Sequence, residues 1–436
     1  MANPLAYRLI EISAAGTFGT VCVAQDLDKG KLVALKVLKE SHLHRPRVLA
    51  RTRDEANLMA QLNDPHIVGV DGLVTIEDRP VLVLEWVRGL SLEQLLKHET
   101  DGMPTAVAVD LIRRAAMALG TAYTAPDSTG KPMHVIHRDV KPSNMLLSVD
   151  GDFKLVDFGI ARGEFEGKEA QTLSMVLGAR GYLAPERLDG YDDKPSCDVY
   201  SLGICLYEFL VGRHIVLSVH KDFHKEALDK HLDALQPEGL TADGATALRA
   251  LVSGMCEYAE DKRPSYADLA AQCEAFLAQH VPPPDLKTYA RQHVLPRFRD
   301  RRRMRPIDHP SYPELAFVER NARGKQWPTP PDVDGEIRAF LKRPDWFDHR
   351  EDLEVLLVKN PHWSPAPFLD ALPKGSKAWW QFWGGNEPDP AHSAYLLELL
   401  MSKPEATVKD RCKALLQHAD ATVAHAAKQV LDAANR

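Results

Sequence analysis

The chain lacks any long hydrophobic run. Over its 436 residues no stretch approaches the roughly 18 to 20 uninterrupted apolar residues that a bilayer-spanning helix needs. The most apolar runs, Val81 to Val87 and Val199 to Val211, are interrupted by Glu85 and by Ser201 and Glu208. No membrane span is expected. The N-terminus, MANPLAYRLI, has neither the basic start nor the apolar core of a secretory signal, so a cytoplasmic location is the expectation. Cysteine is scarce as well. Cys22, Cys197, Cys205, Cys256, Cys273 and Cys412 stand singly with no CxxC pair, which fits buried thiols in a reducing compartment and argues against a disulfide frame or a zinc site. Positive charge is not in excess: 54 Lys and Arg face 61 Asp and Glu, a formal net charge of -7, which gives no reason to expect nucleic acid as a partner. Tryptophan is nearly absent from the first 326 residues, where Trp86 stands alone, yet six more crowd the last quarter. The chain changes character after residue 280.

What is present is a globular composition, 44% hydrophobic and 26% charged, at a length that suits two or three domains. From Leu9 to about Leu84, short β-branched and apolar runs (Thr20 to Ala24, Leu32 to Leu38, Gly72 to Ile76, Val81 to Trp86) alternate with polar turns, the pattern of an antiparallel sheet. One helix is expected among them, over Arg51 to Leu62, stopped by Asn63-Asp64-Pro65. Beyond residue 90 the spacing turns helical, over Leu92 to His98, Val107 to Tyr123, Cys197 to Val211, Ala245 to Met255 and Tyr266 to Gln279.

Four separated stretches carry chemistry. Ala14-Ala15-Gly16-Thr17-Phe18-Gly19-Thr20-Val21 lies between two expected strands, with Gly16 and Gly19 placed where side chains would obstruct the approach of backbone N–H groups to a phosphate. Val33-Ala34-Leu35-Lys36 sets one long cation in an apolar strand. His137-Arg138-Asp139-Val140-Lys141-Pro142-Ser143-Asn144 supplies a carboxylate, a cation and an amide oxygen within six residues. Asp157-Phe158-Gly159 follows a short strand-like run and offers the carboxylate oxygen that a hard cation takes.

In this order the stretches resemble the eukaryotic-like (Hanks-type) serine/threonine protein kinase family, over about Tyr7 to Gln279. The resemblance implies an α+β, two-lobed kinase fold, a small antiparallel β lobe (about 1–87) and a larger helical lobe (88–280). An ATP- and magnesium-dependent transfer of the γ-phosphoryl group to Ser or Thr hydroxyls of protein substrates would follow, with manganese as an alternative metal. It gives Asp139 the role of catalytic carboxylate, Lys141 that of the cation beside it, and Lys36 a hold on the phosphates while paired with Glu55. Asn144 and Asp157 become the metal ligands. Val21, Ala34 and Leu146 would enclose the adenine, with backbone groups of Glu85 and Val87 binding its edge beneath the loop of Gly16 and Gly19. Glu186 of Ala184-Pro185-Glu186 should pair with Arg263, and Asp198 should anchor the catalytic loop. Arg138 would clamp a phosphate on the activation segment, where Thr172 and Ser174 are candidates for autophosphorylation. Lys141, two places after Asp139, is the serine/threonine form of the loop.

Two positions depart from the family pattern. Ala14 replaces the first loop glycine, and Ala179 stands where a threonine usually bridges the catalytic aspartate and lysine; an unreplaced hydrogen bond to a charged group is worth about 1.5 to 3 kcal/mol. The rival reading is a pseudokinase scaffold that binds partners through its C-terminal helical domain, and the complete set of Lys36, Glu55, Asp139, Lys141, Asn144 and Asp157 stands against it.

After Val281 a Pro- and Arg-rich connector is expected over 281–335, its run from Arg297 to Arg305 being a solvated face or a segment clamped on an acidic surface. The rest, 336–436, is expected to be all helical; Leu356 to Pro361 recurs as Leu399 to Pro404 at a shift of 43, which is either the period of a HEAT-like stack or a chance likeness of two Leu-rich helices. Trp379-Trp380-Gln381-Phe382-Trp383 is a candidate for core packing or for recognition of a protein partner.

Overall fold

Period-two alternation builds the first sheet. In the computed structural model, β1 (Tyr7–Ala15), β2 (Gly19–Asp26), β3 (Leu32–Leu38), β4 (Val70–Ile76) and β5 (Arg79–Glu85) pair antiparallel in the order β1-β2-β3-β5-β4. Val33, Leu35 and Val37 of β3 join Cys22, Ala24, Val81 and Val83 in one apolar cluster. Ala34 belongs with Leu82 and Leu84 to a different core, which continues into the helical part of the molecule. Lys36, two residues from Ala34, therefore shares the face turned toward that part. The structure describes residues 7–15, 19–43, 46–76, 79–127, 129–158, 179–188, 194–218, 220–237, 239–302, 333–343, 346–347, 353, 357, 364–372, 390–400, 406–416 and 421–434.

Between β3 and β4 lie α1 (Glu40–Leu43) and α2 (Pro46–Met59). α2 starts five residues ahead of the expected Arg51, since proline at a first helical position loses no hydrogen bond that the helix would have made. After α2 the chain is stitched to the other lobe: Val68 donates to the Leu155 carbonyl at 3.0 Å and Leu155 to the His66 carbonyl at 2.7 Å.

A second sheet, β6 (Gly89–Ser91), β7 (Met145–Ser148) and β8 (Phe153–Leu155), sits on helices α3 (Leu92–Leu96) and α4 (Thr105–Thr124). Ser91 caps α3 with a reciprocal bond to Gln94. Then come α5 (Pro185–Leu188), α6 (Pro195–Val211), α7 (Lys221–Ala234), α8 (Ala242–Met255) and α9 (Tyr266–His280). α6 is apolar nearly all round, and Val199, Leu202, Ile204, Cys205, Leu206 and Phe209 are buried, as befits a central helix. α7 escaped the periodicity reading because only His224, Leu228 and Leu232 form its buried stripe on an otherwise polar helix. All six cysteines are free and buried.

Past Val281 the chain does not run as a bare connector. α10 (Leu286–Tyr289), a π turn (Ala290–Val294) and α11 (Leu295–Arg302) place Leu286, Tyr289, Ala290, Val294, Leu295 and Phe298 in the main core. With the π turn widening one turn, the buried positions Leu286, Ala290, Val294 and Phe298 recur every four residues along one stripe. Proline flanks and arginine content hid this face. Contacts divide the chain into two compact units, Met1–Arg323 and Gly324–Arg436. In the second, α12 (Val333–Leu341), α13 (Ala366–Ala371), α14 (Pro390–Leu400), α15 (Ala406–Leu415) and α16 (Ala421–Ala434) bury Ile337, Phe368, Leu397, Cys412 and Val430 in their own core. Trp346 packs on the edge of this core, against Phe347 and His392, whereas residues 379–383 and most of the 356–361 repeat lie outside the described residues. Among the described residues no helix is long and apolar enough to cross a membrane.

Gly203 lets α6 pass close to the end of α8. A Cβ there would stand 2.6 Å from Cys256 Sγ and 2.8 Å from Met255 Cβ. Gly203→Ala should cost about 1 to 3 kcal/mol by overpacking, read as a lowered denaturant midpoint with an unchanged slope; an unchanged midpoint would show that α6 and α8 can separate freely.

Candidate active site

A buried carboxylate organises the loop that follows α4. Asp198, on the first turn of α6 and 1% exposed, accepts from the backbone N–H of His137 at 2.8 Å, from that of Arg138 at 2.9 Å, and from Tyr266 Oη at 2.9 Å. Burial pushes its carboxyl pKa up, against the pull of these three donors. Arg138 has φ 68°, a left-handed conformation that a side chain makes costly, and the Asp198 bonds hold it there, helped by Arg187, which donates to the Arg138 carbonyl at 2.5 Å. His137 is fully buried, with Nε2 facing the Val156 carbonyl at 3.0 Å and Nδ1 accepting from the Asp139 N–H at 3.2 Å. Those two bonds define a neutral imidazole, and burial lowers its pKa accordingly.

The loop brings three of the expected residues together. Lys141 Nζ lies 3.0 Å from Asp139 Oδ2. Asn144 Nδ2 donates to the Asp139 carbonyl at 2.8 Å and to Asp139 Oδ2 at 2.9 Å. Pro142–Asn144 forms a single 3-10 turn, after which the chain passes into β7 at Met145 and Asn144 stays at the turn's end. Its carbonyl receives the Val156 N–H at 3.0 Å, which fixes the strand end leading to Asp157. Asp157 also has a left-handed φ, 58°, and its Oδ1 meets Lys36 Nζ at 2.9 Å. Burial raises the Asp157 pKa, but the charge and hydrogen bond of Lys36, with Lys141 behind them, bring it below the ordinary carboxylate value. Phe158 is buried with its ring 4.6 Å from that of His137.

Around this cluster stand the remaining expected residues. Val21, Ala34 and Leu146 belong to β2, β3 and β7; Val21 lies opposite Lys36 and Ala34 opposite Leu84. Glu85 ends β5. Its amide is taken by the Gly69 carbonyl at 2.8 Å, and its carboxylate accepts from the Gly69 N–H and from Lys154 Nζ, both at 2.9 Å. Its amide is therefore not the group that a ligand would meet. Val87 is partly buried against the main core. Gly19 is required for a reason beyond phosphate access, since a Cβ there would stand 2.5 Å from the Val37 carbonyl oxygen. Ala14 lies on β1 opposite Val21.

Away from the cleft, Arg263 clasps Glu186 with two parallel bonds of 2.6 and 2.9 Å and gives its other donors to the carbonyls of Glu257, Ser196 and Tyr258. Burial raises the Glu186 pKa, but Arg263 outweighs this and the net shift is downward. Glu55 lies on α2, but its side chain, with Gly16, Gly159, Thr172, Ser174 and the side chain of Ala179, falls outside the described residues. Sequence reasoning missed Tyr266, Arg187 and Lys154. Tyr266 gave only the signal of an aromatic at a helix start, after a Ser265 cap.

A two-lobed fold with a carboxylate, a lysine and an asparagine joined on one loop, facing a lysine–aspartate pair, has the build of a phosphoryl-transfer enzyme. The chain belongs to the protein kinase domain family, whose model matches residues 7–274. It is similar to the serine/threonine-protein kinase PknA of Mycobacterium tuberculosis, 38% identical over 212 residues, which cover 48% of this chain and 47% of that protein. Similar too is drp72 of Corynebacterium efficiens, a serine/threonine-protein kinase 34% identical over 48% of this chain and 39% of its own length. The chain thus spans about half or less of the length of these curated relatives. Among solved structures, the Mycobacterium tuberculosis PknI kinase domain is 20% identical, with a TM-score of 0.46, over 62% of this chain and 96% of that one.

The Glu186–Arg263 pair generates a pH-dependent prediction. The folded-state pKa of Glu186 is depressed, so the pair stabilises the fold above the ordinary carboxylate range and loses that contribution as pH falls through the lower folded value. Arg263→Leu should cost about 3 to 5 kcal/mol at neutral pH. The gap in melting temperature from wild type should narrow below about pH 4.3; a gap independent of pH would count against this origin.

Proposed function

We propose that the protein is an ATP- and magnesium-dependent serine/threonine protein kinase that also phosphorylates its own activation segment. The observation that carries this reading is the join of Asp139 with Lys141 and Asn144, at 3.0 and 2.9 Å. The donor set suits a hard cation. Asp157 and Asn144 offer oxygen, and both nitrogens of the neighbouring His137 are engaged. Among the described residues no group of three or more His, Cys, Asp or Glu could hold a metal ion by itself, so a cation here would complete its shell with phosphate and water, as magnesium does. Asp157 and Asn144 would hold it, and it would supply neutralisation of phosphate charge.

Lys36 then holds the phosphates, kept in place by Asp157. Asp139 accepts the hydrogen bond of the acceptor hydroxyl, aims its oxygen at the γ-phosphorus and takes its proton as the new P–O bond forms. The bond to the β-phosphate oxygen breaks, ADP leaves, and Lys141 lies where it balances the charge of the moving phosphoryl group. The relatives' names and the Asp139-x-Lys141 spacing support Ser or Thr as the acceptor. Autophosphorylation at Thr172 or Ser174, read by Arg138, belongs to the same proposal, as does a cytoplasmic location.

Asp139→Asn should keep nucleotide binding within about twofold while transfer of label from γ-labelled ATP to a generic protein substrate falls by roughly 10²- to 10⁴-fold. Equal labelling by both proteins would overturn the catalytic assignment. In the wild type, phosphatase treatment should lower the initial rate, and a Thr172→Ala, Ser174→Ala double variant should start at that lower rate; a double variant with full, phosphatase-insensitive activity would reject the activation-segment switch.

A further inference from the structure

The family match ends at residue 274, yet the core does not. Tyr289, Val294 and Phe298 are buried in the same core as α4 and α6. The segment reaches them by packing on the second sheet and beside α3. α10 passes over Gly151, whose φ of 88° and missing side chain permit the approach, for a Cβ there would stand 2.7 Å from the Lys287 amide nitrogen. The π turn lies on β7, which carries Leu146, and α11 lies on β6. His293 Nδ1 and Arg297 Nη1 both reach Glu99 Oε1, at 2.9 and 2.8 Å, and pin the turn beside α3. The Phe298 ring then stands 6.4 Å from that of Trp86, within aromatic pairing range.

Trp86 sits between Glu85 and Val87, on the short stretch that joins β5 to β6. We infer that Leu286–Phe298 braces this stretch, with Phe298 acting through Trp86 as a positioning residue that sets nucleotide affinity. The inference rests on the proposed role of Glu85 and Val87 at the adenine edge. A connection of a few residues between two lobes would otherwise have to be ordered when nucleotide binds, and a preordered stretch avoids that entropic cost. Glu85 is secured from one side by Lys154 and Gly69. Phe298 supports Trp86 from the other end by ring packing.

The test uses the full chain with Phe298→Ala and Phe298→Leu. Hydrogen exchange without nucleotide is followed in a peptide covering Val83 to Leu90 and in a control peptide from α4. Binding of adenylyl imidodiphosphate with magnesium is measured by calorimetry, and kcat and KM for ATP on a generic protein substrate. In Phe298→Ala, exchange should rise in the Val83 to Leu90 peptide alone, and analogue affinity should fall roughly three- to tenfold, the size expected of a lost aromatic pair. KM should rise with kcat within about twofold, and Phe298→Leu, which fills the core without a ring, should keep most of the loss in affinity. Unchanged exchange at Val83 to Leu90, exchange raised equally in α4, or unaltered affinity despite faster local exchange would each overturn the brace. A wild type that binds no analogue would overturn the nucleotide reading instead, and the exchange comparison would still decide whether Phe298 orders the stretch.

Discussion

The site depends on one buried carboxylate. Asp198 takes two successive backbone N–H groups, those of His137 and Arg138, and thereby holds a left-handed arginine that unaided chain would avoid at a cost on the order of 1 to 3 kcal/mol. Fixing Arg138 sets the direction of Asp139. From there the order spreads by hydrogen bonds, Asp139 to Lys141 and Asn144, Asn144 to Val156, and Val156 to His137, and then along the chain from Val156 to the second left-handed residue, Asp157. Asp198 can do this because it comes from α6, which is buried nearly all round and has little freedom to move.

Lys36 brings the small lobe into this network. Strand alternation aims it at the cleft, and its bond to Asp157 crosses between the two lobes. The lobes are tied at two further places, by the His66 and Val68 bonds to β8 and by Lys154 on Glu85. The joining stretch Trp86 to Arg88 therefore runs between ends that are already secured, and the aromatic contact of Trp86 with Phe298 adds a third support. Pieces of chain far outside the catalytic motifs thus bear on where those motifs stand.

Much of this was legible in the sequence. The strands β2 to β5 appeared as β-branched and apolar runs between polar turns, and α4, α6, α8 and α9 as helical spacing, because each buries a wide face. α7 was not legible, since three buried residues on a charged helix leave too weak a period. Leu286–Phe298 was misread as connector for a different reason: its proline flanks and arginine content hide a buried stripe that recurs every four residues through the π turn. In the site, Asp139, Lys141 and Asn144 stood out because they are neighbours in the chain. The need for glycine at position 19 was also readable, but its reason in part was not, for the Val37 carbonyl that crowds it belongs to the next strand.

The sequence by itself determined the chemical groups of the loop from His137 to Asn144, their spacing, and the alternation that aims Lys36, all consequences of local geometry. Only the tertiary structure decided what holds them. His137 and Asp198 are 61 residues apart, Asp198 and Tyr266 68, Glu85 and Lys154 69, and Glu99 and His293 194. No spacing rule reaches over such distances, because those contacts arise from helix and strand packing, in which chain separation plays no part.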